Sequence, residues 1–452
     1  MTNQQNQTPL PQQHQLHQQQ PLPRQQLSFN FCDAPTGHGK TTAIITEVNK
    51  GSGEDCRFLI VSPYLLELDR ICAATSCQQP TGKKKQQDLQ QLLARGENVC
   101  CTHALFNQLT KETIELLRYG DYHYHLIIDE EPNTIQRIVE YRRRRSTDNP
   151  SFIECYGQQD YALLMDSQLL LVDPATKRIM WNDDHPYNTK QYDAAGIFED
   201  LRRRLEIADL YAQGKTILQC PKRSLWTAFA SVTVCSYRMK ESLLRAYCDL
   251  YGITVNYQHV EDNRFADGYR PLKPAGLERL HCYTPPALDC SCSKYWYDCN
   301  IDKTTKELSK DLLRLLTSFR YYREKLLPAG IDKKAYYWTC FTKHQPAIAA
   351  ALGRWLAKKR HVPCNMKATN ALANCCVVGY FVKRYMNVDV SNFLAFHNVR
   401  IDKDAFALSE FIQFVWRANI RKSDNSSGDT YVFIGSKKLY DLFTAWLKEP
   451  AS

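Results

Sequence analysis

The chain has 452 residues, 44% of them hydrophobic and 23% charged, enough for two or three domains with packed cores. No uncharged apolar run approaches the ~18 residues of a membrane span. The N-terminus lacks a basic region followed by an apolar stretch, so no secretory signal is expected and the cytoplasm is the expected location. The formal net charge is +10. Basic runs occur at Lys83–Lys85, Arg142–Arg145, Arg202–Arg204 and Lys358–Arg360. Such runs serve as solvated faces, and with a positive excess they also suit a polyanionic partner.

Residues 1–26 are mostly Gln with Pro, His and Asn. That composition cannot bury a core, so a disordered tail is expected. From Leu27 to about Val139 short apolar runs alternate with helix-compatible stretches. The expected strands are Phe29–Cys32, Arg57–Val61, Asn98–Cys101 and His125–Ile128, which implies crossovers and a parallel sheet. Residues 140–225 interrupt this regime and are expected as an insertion. Ser231–Cys235 returns to it as a further strand, followed by a helix over Lys240–Tyr251. Residues 257–303, rich in Pro, Cys, Asp and Tyr, are the expected linker. A second alternating region follows, with strands expected at Ala335–Phe341, Val390–Phe396 and Thr430–Ile434. The domains expected are therefore 27–256 with its insertion, a linker at 257–303, and 304–452. The class is α/β, with a P-loop and two parallel-sheet domains.

Eighteen cysteines are present. Several lie inside apolar runs and read as buried, reduced thiols. Cys282, Cys290, Cys292 and Cys299 form one cluster, but their spacing matches no paired Cys-x-x-Cys zinc arrangement.

Ala34-Pro35-Thr36-Gly37-His38-Gly39-Lys40-Thr41-Thr42 is the most specific signal. Placed between a strand and a helix, its backbone N–H groups and the helix N-terminus converge on an anion. Lys40 reaches the outer phosphates of a nucleotide, and Thr41 offers a hydroxyl to magnesium. Leu126-Ile127-Ile128-Asp129-Glu130-Glu131-Pro132 is the second signal. An apolar strand ending in acids suits magnesium-assisted hydrolysis: Asp129 holds the metal through water, and Glu130 orients or deprotonates the attacking water.

Together these motifs resemble the superfamily 2 helicases, the DEAD/DEAH-like group, although Ala34 stands at the usual glycine and the acid box reads Asp-Glu-Glu-Pro. The resemblance implies two RecA-like domains, ATP and Mg2+ as ligands, and a late motif near Gln-x-x-Gly-Arg-x-x-Arg. The chain offers Gln413-Phe414-Val415-Trp416-Arg417-Ala418-Asn419-Ile420-Arg421. Gln413 and Arg417 match in register, Trp416 replaces the glycine, and Arg421 falls one position late. The resemblance makes Arg417 an arginine finger and Arg421 its less secure partner. It also places Ser62-Pro63-Tyr64 and Thr102-His103 against a nucleic-acid backbone, and Cys235-Ser236-Tyr237 at a coupling motif. The stretch from Ala335 to Arg421, with Lys367-Ala368-Thr369-Asn370 and Ala407-Leu408-Ser409-Glu410, is similar to helicases carried by phages and plasmids.

The function implied is an ATP-hydrolysing helicase or translocase acting on single-stranded nucleic acid, DNA favoured, with replication proteins as further partners. Two alternatives stand beside it. A packaging-type ATPase joined to a nuclease would need clustered carboxylates such as Asp402, Asp404 and Asp429. A nucleotide-binding adaptor would need no turnover.

Overall fold

The computed structural model describes residues 27–51, 56–138, 140–143, 152–155, 162, 165–185, 197–302, 304–353, 360–366, 370–422 and 428–449. The Gln-rich tail, Lys367 to Thr369, and parts of the basic runs at 142–145 and 358–360 lie outside them.

The chain opens with four strands, β1 (Ser28–Asp33), β2 (Cys56–Ser62), β3 (Val99–Thr102) and β4 (His123–Asp129). The next seven lie between residues 136 and 221. They are β5 (Gln136–Arg137), β6 (Glu140–Arg143), β7 (Phe152–Cys155), β8 (Leu170–Val172), β9 (Arg178–Trp181), β10 (Ala208–Gln213) and β11 (Thr216–Pro221). Then come β12 (Ser231–Ser236), β13 (Thr254–Glu261) and β14 (Arg264–Asp267). The last four are β15 (Leu280–Tyr283), β16 (Tyr336–Thr339), β17 (Val377–Tyr380) and β18 (Thr430–Ile434).

The first sheet runs β14-β13-β1-β12-β4-β2-β3, parallel except for β14. Its central strands are buried on both faces, which is why they read as nearly continuous apolar runs. Phe29, Phe31, Leu126, Ile128, Val232 and Val234 share one core with Trp226 and Tyr247. The second sheet runs β15-β18-β17-β16, all parallel. Both are RecA-like α/β units. Within the insertion, β5, β11, β10, β9 and β8 form an antiparallel sheet with its own small core around Leu201, Leu210 and Ile217.

Three expectations change. Residues 257–303 are not a linker. β13 and β14 complete the edge of the first sheet, while β15 supplies the opposite sheet's edge, so the crossover shrinks to residues 268–279. Val390–Phe396 is not a strand but part of a helix, Val388–Phe396, capped where Asn387 accepts from the N–H of Asp389 at 2.8 Å. Val390, Phe393 and Leu394 fall at helical spacing and pack into the first domain's core. The helix expected over Lys240–Tyr251 is interrupted at Ser242, whose hydroxyl accepts from Arg245 N–H and starts the helix Leu243–Tyr251 afresh.

Every cysteine whose side chain is described is free. Cys290 and Cys292 are buried in an apolar cluster, and among the described residues no group of three or more His, Cys, Asp or Glu gathers around a metal position. No described helix is long and apolar enough to cross a membrane.

Candidate active site

The loop of residues 34–39 joins the end of β1 to the helix Lys40–Gly51, on the carboxyl edge of the first sheet. Gly37 and Gly39 both adopt left-handed φ, at 87° and 77°, where a side chain is strained. A Cβ on Gly39 would lie 3.1 Å from the Asn263 amide oxygen, at the tip of the β13–β14 hairpin. Ala34 sits at the usual glycine position because its methyl is buried against Cys32, Ile44 and Cys235, while its N–H donates to the Ser236 carbonyl at 2.9 Å. The Lys40 amine donates to the Ala34 and Pro35 carbonyls at 2.8 and 3.2 Å. Thr41 begins the helix behind Lys40, with its side chain half-buried. Thr36, His38 and Thr42 complete the turn, and burial pulls the His38 imidazole below its ordinary pKa.

Two strands away, β4 presents the acids. Asp129 is buried, and its Oδ2 accepts from the Ser62 hydroxyl at 3.2 Å. Burial first, and then the neighbouring Glu130 charge, push its carboxyl up to about 7, with Lys40 opposing them. Glu130 takes a left-handed φ of 66°, an unusual conformation for a residue with a side chain. Its N–H is held by the Cys235 carbonyl at 2.8 Å, and its Oε2 accepts from Ser236 Oγ at 3.4 Å. Glu131 turns away, accepting from the N–H of Leu244 at the next helix.

The residues assigned to a nucleic-acid backbone are placed beside the acids. Ser62 is fully buried on Asp129. His103 Nε2 lies 2.8 Å from the Asp129 carbonyl oxygen. Thr102 accepts from Leu105 N–H and caps a short helix. Pro63 is half-buried at the exit of β2.

The second domain approaches with the helix Lys403–Val415. Gln413 donates to the Tyr237 carbonyl in the first domain at 3.2 Å and to Ser409 Oγ at 3.2 Å. Arg417 follows at the helix end, with its guanidinium carbon 5.5 Å from the Phe414 ring centroid. Its Nη1 is buried without a hydrogen-bond partner among the described residues. Burial pulls this guanidinium below its ordinary pKa, while the Glu130 carboxylate favours its cationic form. Arg421 comes near the loop through its backbone: a Cβ on Gly37 would sit 3.5 Å from the Arg421 carbonyl oxygen. Trp416 is buried, 6.4 Å from Trp446 between ring centroids. A cationic group and a loop lysine thus face paired acids across one cleft, the arrangement that phosphoryl transfer to water requires.

The carboxylates that a nuclease would need are dispersed. Asp402 caps the helix Lys403–Val415. Asp404 is shared by Lys383 and Lys438, and Asp429 pairs with His281.

Sequence reasoning missed two residues here, Asp33 and Asn263, and read Tyr64 with Ser62 and Pro63 at a nucleic-acid backbone. Asp33 is buried and accepts from the N–H groups of Arg238 and Met239 at 2.8 and 3.1 Å, tying β1 to the exit of β12. An acid closing an apolar strand just before the loop was its one signal. Tyr64 stands in the cleft, and burial raises its phenol to about 12. Asn263 had no signal, because only the folded hairpin returns it to the loop.

A family model described as the YonV C-terminal Rossmann-like domain matches residues 288–447. The chain is 25% identical over 439 residues to the SPbeta prophage-derived uncharacterized protein YonV of Bacillus subtilis (strain 168), covering 92% of this chain and 98% of that protein. Among solved structures it is similar to XPD_APO, with 13% identity, a TM-score of 0.51, and coverage of 94% of this chain and 96% of that one. The S. tokodaii Xpd4 structure matches with 12% identity and a TM-score of 0.49, over 94% of both chains. The likeness to XPD_APO is one of fold.

Proposed function

We propose that the chain is an ATP-dependent nucleic-acid helicase or translocase that hydrolyses ATP in the cleft between its two RecA-like domains. The observation that carries this reading is the buried, unpartnered Nη1 of Arg417, held near Glu130 by a helix of the other domain. Desolvating a guanidinium is costly unless an anion completes it. The triphosphate is the anion that fits, because the same cleft holds the loop backbone and Lys40. Lys40 exchanges the Ala34 and Pro35 carbonyls for phosphate oxygens. Glu130 orients the attacking water, and Arg417 neutralises charge on the transferring phosphoryl group.

The donor set also fits Mg2+. Thr41 and Asp129 offer one hydroxyl and one carboxylate, enough for a cation that keeps most of its waters. The ion would neutralise phosphate charge there. Closure of the cleft on ATP and its opening after hydrolysis would move the two sheets relative to each other. Alternating grips on a single strand then give translocation. The similarity to a prophage-derived protein supports a place in phage or plasmid DNA metabolism.

ATPase turnover measured with and without single-stranded DNA or RNA, beside the Glu130→Gln variant, tests this function. Stimulation by a polynucleotide, abolished by Glu130→Gln, is expected. Turnover indifferent to every polynucleotide would sink it.

A further inference from the structure

The turn that carries Arg417 and Arg421 is gripped from behind by the crossover between the two sheets. Residues 275–279 supply the grip. The Trp416 indole N–H donates to the Ala275 carbonyl at 3.0 Å. Arg279 Nη2 donates to two carbonyls at the turn's end, Ile420 at 3.2 Å and Lys422 at 2.7 Å. Its Nη1 reaches the Gly428 carbonyl at 3.4 Å, and Nε lies 3.6 Å from Glu278. Gly276 has a φ of 86°, and a Cβ there would lie only 2.7 Å from the Ile420 carbonyl oxygen. The backbone of the crossover therefore touches the backbone of the turn.

The chemistry explains the residue types. A short helical turn ends in carbonyls with no partner of their own. A guanidinium presents several donors in a rigid fork and can hold more than one of them. On its far side the same turn places the Arg421 carbonyl against Gly37 of the phosphate loop. Its height over the loop is thus set between two backbone contacts, one at Gly276 and one at Gly37.

We infer that Arg279 is a positioning residue for the arginine turn, acting with Gly276 and Trp416. Through it, movement of the crossover is transmitted to Arg417. This rests on the function proposed above for Arg417. It adds that the strand-to-strand crossover, and not the cleft alone, decides where the guanidinium stands. A tryptophan in place of the glycine of the resembled motif is then a structural part of that device.

Full-length Arg279→Ala, Arg279→Lys and Gly276→Ala are compared with the parent. Steady-state ATPase is run with Mg-ATP and a single-stranded oligodeoxynucleotide, affinity is read with a fluorescent ATP analogue, and hydrogen exchange is followed over residues 416–422 without nucleotide. A displaced catalytic group costs rate without costing ground-state binding. Arg279→Ala and Gly276→Ala should therefore lower kcat about ten- to hundredfold while nucleotide affinity stays within about twofold. Arg279→Lys should recover part of the rate. Exchange over 416–422 should quicken in Arg279→Ala while β18 stays protected. Unchanged exchange over 416–422 overturns the inference whether or not the protein turns over ATP. So does a fall in kcat matched by an equal loss of nucleotide affinity that Arg279→Lys does not relieve. A parent whose ATPase ignores polynucleotides counts against the proposed function and leaves the exchange result to decide the positioning role.

Discussion

The side-chain amide of Gln413 donates to the backbone carbonyl of Tyr237 across 3.2 Å, from one RecA-like domain to the other. Tyr237 follows β12, whose last residues hold Glu130 from behind: the Cys235 carbonyl takes its N–H and Ser236 its carboxylate. One hydrogen bond therefore links the helix that leads to Arg417 to the backbone that holds Glu130.

Removing that bond should uncouple the domains without emptying the site. A neutral hydrogen bond contributes about 1 kcal/mol net. Gln413→Ala should therefore lower polynucleotide-stimulated turnover about fivefold, with ATP affinity little changed, in side-by-side kcat and nucleotide-titration measurements. A larger fall in affinity than in kcat would place Gln413 on the nucleotide instead.

Arg417→Ala should leave ATP binding largely intact and reduce turnover by about 10³-fold, the usual scale for an arginine finger. Single-turnover hydrolysis measures this directly. Hydrolysis at the parental rate would remove Arg417 from the mechanism.

Lys40→Ala should abolish the thermal stabilisation that Mg-ATP gives the parent. A ligand at 100 times its Kd stabilises by about 2.7 kcal/mol, and Lys40 is the loop's own cation. Melting curves with and without Mg-ATP check this. An equal ATP-dependent shift in both proteins would mean that the nucleotide binds elsewhere.

Phe393→Ala should destabilise the first domain, although residue 393 lies in the sequence of the second. Phe393 is fully buried, 4.8 Å from the Tyr211 ring of the insertion. Truncating a buried phenylalanine costs about 3–5 kcal/mol. Denaturant unfolding should show the loss, and hydrogen exchange should show it as weaker protection of β10 and β5.

Polynucleotide affinity should fall steeply as salt rises, since phosphate contacts release counterions. A log–log plot of the binding constant against salt concentration gives the number of contacts. A flat plot would argue against backbone recognition.

Local chemistry made much of this molecule legible before folding. A glycine-rich loop between an apolar strand and a helix has few other uses. Strands buried on both faces must be apolar, so β1, β2, β4 and β12 could be read within a residue or two of their bounds. The acids after Ile128 were visible for the same reason: an apolar strand has to end where charge begins. The helix Val388–Phe396 was misread because short apolar runs suit either element, and only its docking onto the first domain decides between them. The linker was misread because β13, β14 and β15 are partly exposed edge strands, whose mixed composition resembles a loop.

Sequence alone thus determined the glycine-containing loop between β1 and its helix, the acids that end β4 and the α/β class, because each depends on neighbours a few residues away. The tertiary structure decided which residues share a cleft. Gln413 meets Tyr237 and the Arg421 carbonyl meets Gly37 from one domain to the other, and Asn263 meets Gly39 where the β13–β14 hairpin returns to the loop. Such contacts join groups far apart in the chain, and no local periodicity encodes their distance. Arg417, whose Nη1 has no partner among the described residues, is the clearest case: its residue type was readable, but its burial beside Glu130 exists only once both domains have folded.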